Sequence, residues 1–246
     1  MNIRTTLATA GTLLLVAGTA AADFKVVKEQ HTDAFTVMGR ETPAIDQQQT
    51  SWIGSDRTRV DNGDQTTIIR LDANKLFLVN HAEKTFNVFE LPVDIESFMP
   101  PGMAEQMKLM MSFEVTVTPS DETKQVGEWA ARRYDVQMNS KMVNTAMTVW
   151  ATKDVTIDQD AFHGMYEHLN SLNPGLAGVA KEMRKVDGFI VEQQSRSTMP
   201  MMGDAAITRL EKTVSIEEME PPPGTYEVPA GYTEKPFDFM ASMQRQ

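Results

Sequence analysis

Between Gln47 and Leu91 apolar and polar residues alternate in short blocks set off by turn-forming residues, about one block in every ten residues. Asn62-Gly63, flanked by Asp61 and Asp64, favours the positive dihedrals of a two-residue hairpin turn and separates Arg57–Val60 from Gln65–Leu71. Turns at Asp72-Ala73-Asn74 and Ala82-Glu83 set off Lys75–Asn80 and Lys84–Leu91. This spacing predicts an antiparallel meander rather than alternating strand and helix units. Two blocks, Ile68-Ile69-Arg70-Leu71 and Leu76-Phe77-Leu78-Val79, are apolar on both faces of a strand, so both sides of the sheet need cover.

The pattern on either side extends the sheet. Phe24–Met38 reads as one long strand or a bent pair, and Ile45–Ile53 as a strand with a solvated outer face. Phe113–Thr118, Lys124–Glu128, Ala130–Asn139 and Asn144–Ala151 read as further strands, with a turn at Pro119-Ser120-Asp121. Phe189–Thr198 and Ala205–Glu217 form a last hairpin, and the proline-rich tail from Pro221 to Tyr232 is extended and irregular.

Two segments change period. After Pro100-Pro101-Gly102, the side chains of Met103, Met107, Met110 and Met111 fall on one stripe of a helix of about three turns. A second helical region, capped by Asp158 or Asp160, carries Phe162, Met165, Leu169 and Leu172 on one face. It is interrupted at Asn173-Pro174-Gly175, resumes with Leu176, Val179, Ala180 and Met183, and is predicted to end at a left-handed Gly188.

Composition adds a compartment. Arg4, the apolar run Leu7–Val16 and Ala20-Ala21-Ala22 make residues 1–22 a secretory signal with cleavage after Ala22, and the apolar run is too short for a retained anchor. Residues 23–246 are expected to form a single periplasmic domain, not an integral membrane protein. There is no cysteine, which removes disulfides, lipid attachment at a cysteine and thiolate metal sites. Without its signal, which contains one Arg and no acid, the chain carries 22 basic and 34 acidic side chains, a net of −12. That charge argues against nucleic acid and anionic membrane surfaces as partners.

Candidate chemistry is sparse. No nucleophile elbow or phosphate loop is present, and His163 and His168 are five apart, which sets them about 140° apart on a helix rather than on one zinc-binding face. An enzyme is therefore not expected. The 18 methionines are the compositional oddity. Clustered thioethers bind Cu(I), with Met199-Pro200-Met201-Met202 the best local candidate, but methionine also fills cores and apolar surfaces that adapt to varied ligands. The helical spacing of Met103 to Met111 fits packing or an adaptable groove better than copper, and no cofactor is expected.

The signal, the long first strand, Gln65-Thr66-Thr67-Ile68-Ile69-Arg70-Leu71-Asp72, Val126-Gly127-Glu128-Trp129 leading to Arg133-Tyr134, and the closing Val228-Pro229-Ala230-Gly231-Tyr232 resemble an uncharacterised family of secreted bacterial proteins. That family is similar in architecture to the outer-membrane lipoprotein carrier and its receptor. The resemblance implies a mainly β fold with some α: a strongly curved antiparallel sheet, an unclosed barrel, with helices filling the concave face. It also implies an apolar hollow for a lipid or another hydrophobic small molecule. Candidate lining residues are Met103, Met107, Met110, Met111, Phe162, Met165 and Leu169 from the helices and Leu76 and Leu78 from the sheet, with the concave face left open between Leu76/Leu78 and Phe77/Val79. The alternatives are a packed structural or interaction module of the cell envelope and a methionine copper site at Met199, Met201 and Met202.

Overall fold

The computed structural model describes residues 23–238 apart from 38, 100, 101, 104, 106–111, 156–176 and 200–205. Its dominant element is a single twelve-stranded sheet. Strands β1 (Asp23–Thr32), β4 (Ile45–Ile53), β5 (Arg57–Asn62), β6 (Gln65–Arg70), β7 (Lys75–Asn80) and β8 (Thr85–Glu90) form one half. The other half comprises β9 (Glu114–Val126), β10 (Trp129–Asn139), β11 (Asn144–Thr152), β12 (Phe189–Thr198) and β13 (Ala206–Met219). The order is β14-β8-β7-β6-β5-β4-β1-β13-β12-β11-β10-β9, with β14 (Thr233–Glu234) as the one parallel addition. A separate small hairpin pairs β2 (Phe35–Val37) with β3 (Arg40–Thr42). The first strand is thus a bent pair, broken at Asp33-Ala34.

The meander forms because each turn is chemically specified and each strand has apolar residues to bury. Its first turn is shifted one residue from expectation: Asn62 still pairs with Gln65, so the loop is Gly63-Asp64, and only Gly63 takes the positive φ, +57°. The Pro119-Ser120-Asp121 turn does not form. β9 runs through it as an edge strand, where a proline's missing N–H costs no ladder bond, and the surplus residues 120–122 bulge opposite Arg133. Arg132 donates to Ser120 O at 2.6 Å and Arg133 donates to Glu122 at 2.9 Å, so the two arginines fasten the bulge.

The sheet does not close, since β14 and β9 end it without pairing to one another. It nonetheless curls. One apolar cluster draws Phe89 from β8 and Val126 from β9, strands at opposite ends of the order, together with Ile69, Leu76, Trp129 and Phe189. A second cluster at the β9–β11 end is roofed by Met183 and Val186, at and just after the short helix α1 (Ala177–Met183). α1 is the one stretch of the second predicted helical region that the structure describes. The left-handed cap assigned to Gly188 is a correction: the helix ends five residues earlier, and Gly188 (φ +122°) leads into β12 where a Cβ would stand 2.3 Å from the Thr152 carbonyl oxygen.

Helices are scarce among the described residues: α1, the 3-10 turns Leu71–Ala73 and Ile95–Phe98, and helical geometry at Met103 and Glu105. Most of the Met103–Met111 stripe, and all of Phe162, Met165 and Leu169, lie outside the described residues. None of the described helices is long and apolar enough to cross a membrane.

Candidate functional site: an apolar mouth under a C-terminal strap

Register decides which sheet residues share a face. Phe24, Ile53, Thr58, Ile69, Leu76 and Phe89 lie opposite one another across β1 and β4 to β8, while Lys25, Trp52, Arg59, Ile68, Phe77 and Val88 form the adjacent row on the other side. The Leu76/Leu78 face therefore turns toward the cluster shared with β9, β10 and β12, and Phe77/Val79 faces away. Neither is wet: Ile68 and Ile69, neighbours in sequence, are 0% and 1% exposed on opposite sides. Leu76 sits in the sealed interior at 0% exposure, and Leu78 is half-buried at its margin.

At the β8 end the cluster reaches the surface. After β8 the chain crosses Leu91 and Val93, both buried, to the turn Ile95–Phe98. There Phe89, Phe98 and Phe237 stack edge to face, with centroids 5.4, 5.0 and 5.6 Å apart. Edge-to-face packing satisfies the ring quadrupoles, yet Phe98 keeps 39% of its surface exposed. Met99 beside it is buried, and Met103 is half-buried. By contrast, the depression lined by Lys28, Ile190, Val191, Glu192, Gln193, Glu211 and Thr213 is shallow and charged, and it encloses no space comparable with the several hundred Å³ of ligand pockets.

The opposite face is covered by the irregular tail. Tyr226, Val228 and Tyr232 pack on Trp52, Ile68 and Val79. Two polar groups fix them. The Tyr226 hydroxyl donates to Asp23 Oδ2 at 2.5 Å, and Arg57 lies over the Tyr226 ring at 4.9 Å with its buried Nε 3.7 Å from the same carboxylate. Burial, followed by the bond to Asp23, pushes the Tyr226 phenol far above its ordinary value, so it remains a donor. Gly54 leaves space for this carboxylate, since a Cβ there would stand 2.8 Å from Asp23 Oδ1.

The second group is a one-way hydrogen-bond chain. Arg59 grips Asp61, Thr66 donates its hydroxyl to Asp61 at 2.5 Å, and Thr66 Oγ1 must then accept from His81 Nε2 at 2.7 Å. In a neutral imidazole that leaves His81 Nδ1 to accept from the Tyr232 hydroxyl, 2.9 Å away. The arrangement contains a hydroxyl, an imidazole and a carboxylate, but Thr66 is 2% exposed, so its oxygen is not presented to a substrate. The chain holds the tail rather than displaying a nucleophile. Neither group was found from the sequence; the one available signal was the recurrence of Tyr226, Tyr232 and Phe237 in a segment otherwise rich in proline and polar residues.

Of the copper candidates, Met199 is half-buried just beyond β12, and Met201 and Met202 lie outside the described residues. Among the described residues no three of His, Asp and Glu gather as metal ligands. A scan against protein-family models finds no match to the chain, and a comparison with curated proteins finds none either.

Proposed function

We propose that the protein is an exported, periplasmic, non-enzymatic binding protein, a carrier or sensor of lipid or acyl-chain ligands, that holds an aliphatic chain against the curled apolar face. In this reading the methionine helix from Met103 to Met111 and the helix carrying Phe162, Met165 and Leu169 fill the concave side, as the resemblance to the lipoprotein carrier and receptor architecture implies. The observation that carries it is the mouth: an apolar core that is sealed at Leu76 but ends in a 39%-exposed Phe98 leading directly into the methionine-rich segment. Thioether side chains repack around chains of different length. Burying about ten methylenes is worth up to ~8 kcal/mol before association costs, and a Kd in the tens of micromolar needs only about 6 kcal/mol.

The test is titration of delipidated protein with palmitate and with phospholipid. Binding at tens of micromolar that is abolished by Met107→Glu with Met110→Glu, and retained when the four stripe methionines become leucine, supports the reading. Absence of binding to either ligand class sinks it. The second reading, a packed structural or interaction module of the envelope, is favoured by the complete burial of Leu76 and Ile69, and it then takes first place. Intact mass of protein from an exporting host checks the compartment, since a chain retaining residues 1–22 removes the case for a periplasmic carrier.

A further inference from the structure

The tail is held unevenly. Up to Tyr232 it is anchored by side chains: Tyr226 is buried and bonded to Asp23, Arg59 donates to Thr225 O at 3.0 Å, and the Tyr232 hydroxyl is bonded to His81 Nδ1. From Thr233 the character of the attachment changes. Strand β14 is two residues long and parallel, with Thr233 N donating to Lys84 O at 3.0 Å and Lys235 N donating to Phe86 O at 2.8 Å. Asn87 adds a bond to Lys235 O, and an exposed Lys235–Glu83 pair stands at 3.3 Å. The side chains of residues 233–236 are all exposed, so burial of Phe237 is the main apolar contribution of this segment. Such stretches, rich in exposed backbone bonds and poor in buried contacts, open independently of the core.

What Phe237 covers is specific. Its ring stacks on Phe89, which is buried, and on Phe98, which is not, where the core reaches the surface. We propose that residues 233–237 are a displaceable strap and that Phe237 is an internal occupant of the place at this mouth where the end of an aliphatic chain binds. The inference rests on the binding reading above and adds its regulation. Lifting the strap breaks the short β14 ladder, exposes the Phe89–Phe98 ledge and leaves the anchors at Tyr226 and Tyr232 in place. An apolar chain satisfies the vacated ledge because it has no hydrogen-bonding groups to strand there. A ligand that binds only the open form has its apparent affinity reduced by the open fraction, so weakening the strap strengthens binding.

The experiment uses the full mature chain, delipidated, with palmitate as the probe in calorimetric titration. Phe237→Ala removes the occupant, and Thr233→Pro removes the N–H given to Lys84 O without touching the ring. Both are expected to bind palmitate about tenfold more tightly than wild type, with unchanged stoichiometry. Phe98→Ala, which thins the ledge itself, is expected to bind more weakly. If wild type binds palmitate and either Phe237→Ala or Thr233→Pro, when folded by circular dichroism, binds no tighter, the strap proposal is overturned while the binding reading stands. If no variant binds palmitate, the binding reading fails and the strap proposal falls with it.

Discussion

Replacing Tyr226 by phenylalanine removes a single oxygen and tests whether the tail is a structural part of the sheet. The ring still fills its place over Trp52 and Ile68 and under Arg57, so the apolar and cation–π contacts are preserved. What is lost is the 2.5 Å hydrogen bond to Asp23, a residue only 3% exposed. A hydrogen bond to a charged group contributes ~1.5–3 kcal/mol, and a buried acceptor deprived of its donor cannot turn to water, so we expect a loss of about 2 kcal/mol. For a chain of this size that corresponds to a fall in Tm of roughly 4–8 °C. Thermal unfolding by circular dichroism measures it, and limited proteolysis between Pro221 and Tyr232 should accelerate in parallel. Pairing the change with Asp23→Asn closes a double-mutant cycle, for which we expect a coupling above ~1 kcal/mol. A Tyr226→Phe protein melting within about 1 °C of wild type, with the tail equally resistant to protease, would falsify the claim that this bond fastens the tail.

Three further outcomes are expected. His31 lies 2.6 Å from Asp46 and 3.2 Å from Asp33, and the bond to Asp46 raises its pKa above 6.5. Its contribution to stability is therefore complete below the unfolded value and is lost as pH rises through the raised folded one. A proton NMR titration should show the upward midpoint, and Asp46→Asn should lower it; a midpoint unchanged by that substitution refutes the assignment. Gly188→Ala would place a Cβ 2.3 Å from the Thr152 carbonyl at a φ of +122°. We expect a loss of about 3 kcal/mol or more in urea denaturation, and a loss under ~1 kcal/mol would show that the corner relaxes. Anaerobic Cu(I) titration should show no stoichiometric site at roughly micromolar affinity; one tight site abolished by replacing Met199, Met201 and Met202 would promote the copper reading.

Local signals were sufficient for most of the sheet. Lys75–Asn80 and Ile45–Ile53 form strands with the expected bounds because turn-forming residues delimit them, Asn74 and Ala82-Glu83 for the first and Pro43 and Gly54 for the second. The doubly apolar Ile68-Ile69 and Leu76-Phe77-Leu78-Val79 also carried a global message, that both faces of this sheet are covered, because adjacent residues on a strand point to opposite sides. What sequence could not supply was the identity of the cover and the direction of the curl. Pro119 looked like a turn, yet an edge strand tolerates a proline, and whether a strand lies at an edge is fixed by pairing across the whole sheet. Gly188 looked like a helix cap, but the constraint on it comes from Thr152, a residue 36 positions away. The choice between Leu76 and Phe77 as the inward residue depends on which face meets Val126 and Trp129 from the far end of the sheet, a contact with no local trace. The tail shows the same limit. Its irregular sequence specifies no regular element, and only the placement of Asp23, Arg59 and His81 on the back of the curled sheet gives Tyr226, Thr225 and Tyr232 the partners that order it.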